Sequence, residues 1–212
     1  MEVAGFIAMI AGCYLLGSLN VAYLVGRRLG KVDLRRVGSG NLGTGNVYRH
    51  VGKGVAAAVF FVDCAKEALP LLLIRLAGGS GVWQVGAGLA VIAGHNWPVF
   101  LRFRGGRGMA MTLTGTLILL PWEGLVMVAL LALGVFTRHT AEMNLLALFL
   151  VPVISWRLGR SPEMVCFALF ALIMAVARRL QGSKAIAEKG EERELRKVLW
   201  TRFVYDRELV NR

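Results

Sequence analysis

The sequence predicts an all-α integral membrane protein of about seven transmembrane helices with cytoplasmic glycine-rich loops. Three observations predict it. Of 212 residues, 56% are hydrophobic and 18% charged, whereas soluble domains run near ~45–50% and ~25%, and mean hydropathy is +0.60. Apolar runs of near-spanning length recur along the chain. Basic residues are divided unequally between alternate connections.

The apolar runs cover residues 3–25, 55–76, 82–101, 109–120, 122–136, 144–156 and 162–177. Several fall short of the ~20 residues that cross a bilayer untilted. Pro121 lacks a backbone N–H, so it is read as the break between two short helices, the alternative being one kinked helix. The first run opens with Met-Glu-Val-Ala rather than a basic segment and shows no small-x-small cleavage site. It is therefore expected to be retained as a helix rather than removed as a signal peptide.

Formal charge is +12. With seven helices and the N-terminus outside, one side receives Arg27, Arg28, Lys31, Arg35, Arg36, Arg49, Lys53, Arg102, Arg104, Arg107, Arg138 and the basic residues from Arg178 onward. The other side receives only Arg75, Arg157 and Arg160. By the positive-inside rule the loops at 27–54 and 102–108 and the tail at 178–212 are cytoplasmic, and the charge needs no nucleic acid to explain it.

Cys13, Cys64 and Cys166 lie inside apolar segments without CxxC spacing and read as small core residues, with no disulfide or metal framework. Residues 1–180 form one membrane domain, followed by a basic tail at 181–212. Within the tail, 191–210 places Leu195, Val198, Leu199, Phe203 and Val210 among many charges. That spacing fits an amphipathic helix on the anionic leaflet, or a solvated helix docked on the protein.

The stretch "GSGNLGTGN" contains Gly38-x-Gly40-x-x-Gly43, which read alone is the dinucleotide fingerprint. Its context fails. The preceding "KVDLRRV" is no buried strand, and the acidic residue at the required distance, Asp63, lies inside an apolar run. A P-loop fails too, since Gly54 follows Gly52-Lys53 where Ser or Thr is needed and Val47 stands at its first glycine. Glycine turns that expose backbone amides, with hydroxyl and amide side chains beside them, can instead form an anion nest, and Arg49 would add a guanidinium fork. The plain alternative is a tight turn flanked by basic membrane anchors.

A second stretch, "AGHNWPVFLRFRGGRGMAMTLTG", shifts the balance toward the nest. Gly94-His95-Asn96 closes one helix there, and Gly105-Gly106-Arg107-Gly108 opens the next. Two glycine-rich, arginine-bearing loops then share one face, and the positive end of the helix beginning near Met109 adds to Arg107. Together they describe a phosphate site at the cytoplasmic surface.

These residues resemble the bacterial acyl-phosphate:glycerol-3-phosphate acyltransferases. "LLGSLNVAYLVGRRLGKVDLRRVGSGNLGTGNVYRHVGK" is similar to the family's first helix and GSGNPGATN-type loop, "FFVDCAKEALP" to its aspartate and lysine helix, and "GHNWPVFLRFRGGRG" to its GHN-FPVF-KFKGGKG segment. The resemblance implies a small seven-helix, multi-pass protein of the bacterial inner membrane. It implies acyl transfer from acyl phosphate to the 1-hydroxyl of glycerol 3-phosphate, giving lysophosphatidic acid and phosphate. Acyl phosphate, glycerol 3-phosphate and membrane lipids are the expected partners, with no metal, nucleotide or acyl-CoA, and a monomer is expected.

On this resemblance Ser39, Arg49 and Arg107 are the catalytic candidates, Ser39 as a hydrogen-bond donor because no base accompanies it. Gly38, Gly40, Asn41, Gly43, Asn46, His95, Asn96, Gly105, Gly106 and Gly108 are the substrate-binding candidates. Arg107 stands where the family has lysine, trading a point charge for a fork. Departures grow toward the C-terminus. In "RHTAEMN", Ala141 and Asn144 replace the serines of the family's R-Y-x-S-x-x-S pattern, and alignment on Arg179-Leu180 puts Ile173 and Val176 at its histidine and asparagine. His139 is the candidate to compensate.

Two other readings stand beside the enzyme. One is a paralogue of the same fold with another acyl acceptor or no turnover. The other is a transporter, for which intramembrane Asp63, Lys66 and Glu67 are the pointer.

Overall fold

The computed structural model of the protein describes residues 2–181 together with Trp200 and Val204. The remainder of the tail segment 191–210, for which an amphipathic helix is expected, lies outside the described residues. Among those described, the chain forms α1 (Glu2–Ser18), α2 (Val21–Arg28), α3 (Thr44–His50), α4 (Lys53–Leu76), α5 (Gly81–Asn96), a 3-10 turn (Val99–Leu101), α6 (Met109–Leu119), α7 (Pro121–Thr137), α8 (Thr140–Arg157) and α9 (Pro162–Leu180). No strand occurs among them. One stretch, Val3–Arg28, is long and apolar enough by length and composition to cross a membrane, and Met109–Leu119 and Pro121–Thr137 are shorter apolar helices.

Pro121 separates α6 from α7 as expected, since it can open a helix but cannot continue one. The first apolar run differs from the expectation: it is two helices, broken at Leu19 and Asn20. Asn20 causes the break, because its side chain accepts from the Tyr23 amide at 2.9 Å and so caps α2. Its amide nitrogen also donates to the Leu42 carbonyl at 3.3 Å, tying the break to the glycine loop.

The break frees the Leu19 carbonyl, which accepts from Lys66 Nζ of α4. Lys66 in turn pairs with Asp63 Oδ1 at 3.3 Å, with both side chains at most 8% exposed. An unmatched charge or carbonyl in an apolar bundle costs several kcal/mol. The charged pair on α4 is thus the complement of the first helix's break.

Helices α1 and α5 run parallel: Phe6 meets Trp83 edge-on at one end, and Tyr14 Oη donates to the Trp97 carbonyl at 2.6 Å toward the other. At their crossing the backbones touch. A methyl group on Gly17 would lie 2.1 Å from the Val91 carbonyl oxygen, and one on Gly94 2.1 Å from that of Tyr14. Close approach through small residues is how apolar helices associate where water provides no drive.

The main core joins Leu71, Val91, Met111, Met127, Leu148 and Phe167 from six helices. Glu67 is sealed within it, its carboxyl set against Gly88, Gly115 and Phe167. Neither of its oxygens has a hydrogen-bond partner among the described residues, and nothing in the structure explains the choice of Glu there. A smaller core of Ala22, Leu34, Leu42, Val47, Ala56 and Val59 anchors the long α2–α3 connection from below. At the far end of the bundle, Arg160 forks onto Glu123 at 2.8 and 3.1 Å, and Arg75 donates to the Ile118 carbonyl.

Candidate active site

The α2–α3 connection, the α5–α6 connection and the α7–α8 connection converge at one end of the bundle. Between them lies a cavity of about 420 Å³. Its cations are Arg49 from α3, Arg107 from the α5–α6 loop and Arg138 from the end of α7. Arg138 has φ 64°, a left-handed turn that stops α7 and starts the path to α8.

The first loop is shaped by Asn46, which is 2% exposed and donates to the Leu34 and Val37 carbonyls at 2.9 and 3.1 Å. Those bonds close the loop around its own glycines. Gly38 has φ 57°, and a Cβ there would meet Asn46 Oδ1 at 2.5 Å and His50 Nε2 at 2.6 Å, so glycine is required. Ser39 Oγ accepts from the Asn41 amide at 3.4 Å, which orients its hydroxyl within the lining.

The second loop lies on the end of α5. The Gly106 amide donates to the His95 carbonyl at 3.0 Å, and a Cβ on Gly105 would sit 2.1 Å from that same oxygen. The fit leaves no room for a side chain. His95 is 3% exposed, with Nδ1 3.9 Å from Asp63 Oδ1 and Nε2 against Gly106. Gly108, with φ 65°, precedes α6 beside the buried Asn96 amide, and Met109 and Ala110 open the helix onto the cavity.

Of the candidate site residues in the sequence, Ser39, Asn41, Gly43, Asn46, Arg49, His95, Arg107 and Gly108 line this cavity, and so does Asp63, which the transporter reading singles out. Gly38, Gly40, Asn96, Gly105 and Gly106 do not line it; they shape the two loops from behind. His139 is exposed, stands 3.1 Å from Glu142 and is outside the lining. Ala141, Glu142 and Asn144, in the segment where the serine pattern is lost, do line it. Ile173 is 57% exposed on the outside of α9, and Val176 is half-buried.

Sequence reasoning missed α9's contribution. Arg178 Nη2 donates to the Gly105 carbonyl at 2.7 Å and its Nε to that of Gly106 at 2.9 Å, clamping the second loop. Arg179, 2% exposed, donates to the Ala141 carbonyl at 3.2 Å. The pair "RR" at the end of an apolar helix was the available signal, but it reads equally as a membrane anchor. Among the described residues, no group of three or more His, Cys, Asp or Glu could hold a metal ion.

Phe60, Met109, Leu113 and Leu131 give the cavity an apolar side, beside the buried Asp63 and His95 that also line it. An anion seat with such a side, at the end of a helical bundle, defines a membrane protein for phosphate-bearing lipid chemistry. Comparison with known proteins gives the particular family. The chain belongs to the glycerol-3-phosphate acyltransferase family, whose model matches residues 7–188. It is 41% identical over 183 residues to a glycerol-3-phosphate acyltransferase of Rubrobacter xylanophilus, covering 85% of this chain and 90% of that one. A relative of the same name from Gloeobacter violaceus is 43% identical over 77% of this chain and 80% of its own. The crystal structure of PlsY (YgiH), an integral membrane glycerol 3-phosphate acyltransferase, in its glycerol 3-phosphate form superposes with TM-score 0.76 and 28% identity, over 89% of this chain and 94% of that one. Its lysophosphatidic acid form gives 0.73 and 26% with the same coverage.

Proposed function

We propose that the protein transfers a fatty acyl group from acyl phosphate to the 1-hydroxyl of glycerol 3-phosphate, releasing lysophosphatidic acid and phosphate. The observation that carries this reading is the meeting of Arg49 of α3, Arg107 of the α5–α6 loop and Arg138 after α7 over one cavity with an apolar side. Family membership supports it. The attacking hydroxyl oxygen forms a bond to the acyl carbonyl carbon, the carbon–oxygen bond to phosphate breaks, and phosphate leaves with that electron pair. A phosphate oxygen of either substrate takes the hydroxyl proton, so no enzyme base is needed, and direct attack by the hydroxyl needs no enzyme nucleophile.

In this reading Arg107 binds the phosphate of glycerol 3-phosphate, while Arg49 and the Ser39 hydroxyl hold the acyl phosphate and stabilise charge developing on the carbonyl oxygen. The remaining lining groups, Asn41, Gly43, Asn46, His95 and Gly108, orient the substrates. Gly38, Gly40, Asn96, Gly105 and Gly106 serve them by loop shape. The acyl chain follows Phe60, Leu113 and Leu131. Catalysis is by positioning and electrostatics, without metal, nucleotide or coenzyme A.

The reading also includes a multi-pass monomer in a bacterial inner membrane. In it the chain makes seven spans, counting α1 with α2, with the N-terminus outside and the site and C-terminus in the cytoplasm, a reading that the unequal division of basic residues supports. Residues 1–180 are the catalytic domain and 181–212 a basic tail. A different acyl acceptor is the second reading, favoured by Ala141, Glu142 and Asn144 in the lining. Transport is disfavoured, because Asp63, though it lines the cavity, pairs with Lys66, which is tied to the α1–α2 break, and Glu67 is sealed in the core.

The test is lysophosphatidic acid release by purified protein given palmitoyl phosphate and labelled glycerol 3-phosphate. Wild type forms product, Arg107→Lys largely keeps activity and Arg107→Ala abolishes it. A folded wild type that forms none moves the assignment to the altered acceptor.

A further inference from the structure

A second cavity, of about 530 Å³, lies between the α2–α3 connection and the segment that follows the 3-10 turn. Four arginines line it: Arg35, Arg36, Arg102 and Arg104, with Tyr23 and Phe100 beside them. Arg35 is already committed. It forks onto Asp33 at 2.7 and 3.0 Å and stacks 4.8 Å over the Tyr23 ring, which makes it a fixed wall. The side chains of Arg36, Arg102 and Arg104 are exposed and have no hydrogen bond or ion pair among the described residues.

Three unneutralised guanidinium groups around one concavity repel one another unless an anion joins them. The backbone points the same way. Arg102 and Phe103 stand consecutively at φ 54° and 60°, a conformation that glycine or asparagine adopts without difficulty and these two residues do not. The turn is held by the Phe103 amide on the Pro98 carbonyl at 3.0 Å and the Arg104 amide on that of Leu101 at 3.2 Å. It keeps Arg102, Arg104 and Phe100 on the cavity, with Phe103 between the two arginines in the chain. Phe100 is 61% exposed and Phe103 57%.

We propose that this cavity is a second anion site, separate from the substrate cavity, and that it takes the phosphate headgroup of an anionic phospholipid. Guanidinium forks match phosphate oxygens, and exposed aromatic residues beside them suit the boundary between headgroups and acyl chains. Those aromatic residues select a lipid over free phosphate. Because Arg104 adjoins Gly105, an occupant restrains the second loop from its outer side. The inference does not depend on turnover, so its failure is distinguishable from failure of the acyltransferase reading.

Native mass spectrometry of the full-length, detergent-purified protein tests it, with phosphatidylglycerol as probe, phosphatidylcholine as the zwitterionic control of zero net charge and inorganic phosphate as competitor. Wild type retains one more phosphatidylglycerol than the double variant Arg102→Gln/Arg104→Gln, shows no such excess for phosphatidylcholine, and keeps its lipid against inorganic phosphate. Arg36→Gln, on a different segment, loses the same lipid without touching the turn. Unfolding temperatures establish that both variants are folded. Retention at the wild-type level by either folded variant overturns the proposal, as does displacement of the lipid by inorganic phosphate, which would mark a site for a free anion.

Discussion

Replacing Gly105 with alanine tests whether loop placement, rather than any one charge, sets the rate. The new methyl would lie 2.1 Å from the His95 carbonyl oxygen, 2.4 Å from Pro98 Cδ and 2.9 Å from the Asn96 carbonyl oxygen. Two of these are backbone atoms and the third is a rigid ring, so no side chain can swing aside. Restoring ordinary contact moves the loop off α5 by roughly 1 Å, a displacement that costs about 10²-fold when it misplaces a catalytic group. The Gly106 amide's bond to His95 and the clamp from Arg178 stretch with it. The expected outcome is a fall in kcat/KM for glycerol 3-phosphate of about 10²-fold, or about 2.7 kcal/mol of transition-state stabilisation. Lysophosphatidic acid formation is the assay, and Gly54→Ala, with nothing within 4 Å of the added carbon, is the control. Wild-type kcat/KM in Gly105→Ala would refute the view that this contact positions Arg107.

Arg178→Gln removes two bonds to the same loop and raises KM for glycerol 3-phosphate about tenfold, roughly one charged hydrogen bond's worth, while Arg178→Lys recovers part of it in the same assay. Lys66→Met leaves Asp63 buried without its partner and the Leu19 carbonyl unmet, lowering stability by about 3–5 kcal/mol; thermal unfolding should show partial recovery in Lys66→Met/Asp63→Asn. The Arg35 guanidinium holds the Asp33 carboxyl down at about 2. The stability it adds is present above the unfolded carboxyl's ordinary pKa of about 3.9 and is lost as pH falls through the folded value. The difference in unfolding temperature between wild type and Asp33→Asn is therefore flat around neutral pH and closes between about pH 4 and pH 2.

Elements that declare themselves locally were legible in the sequence. Pro121 divides two helices because a missing N–H acts within its own turn, and the glycine loops carry side chains and turns within a few residues of each other. The break at Asn20 was not legible, since its apolar neighbours read as one continuous helix and the cap depends on a side-chain bond that composition does not reveal. The short α3 escaped for a related reason: seven residues with a glycine inside give too little periodicity. Within the site, Arg49 and Arg107 stood out beside glycines. Arg178 did not, because its two carbonyl partners are over seventy residues away and, beside Arg179 at the end of an apolar helix, it reads as a membrane anchor. Alignment by pattern drew attention to Ile173, which faces outward, while the arginines one turn and more beyond it reach the loop and the α8 start.

The bond from Lys66 to the Leu19 carbonyl bears on the order in which the chain is built. The chain is made from its N-terminus, so α1 and α2 exist before α4, and the carbonyl at their break is first without its Lys66 partner. Only the arrival of the fourth helix completes it, and that helix brings its own carboxylate to balance the incoming ammonium. Assembly is thereby staged: the early helices remain an incomplete insert until α4 closes them. The glycine loop is tied to the same break, through the Asn20 bond to the Leu42 carbonyl.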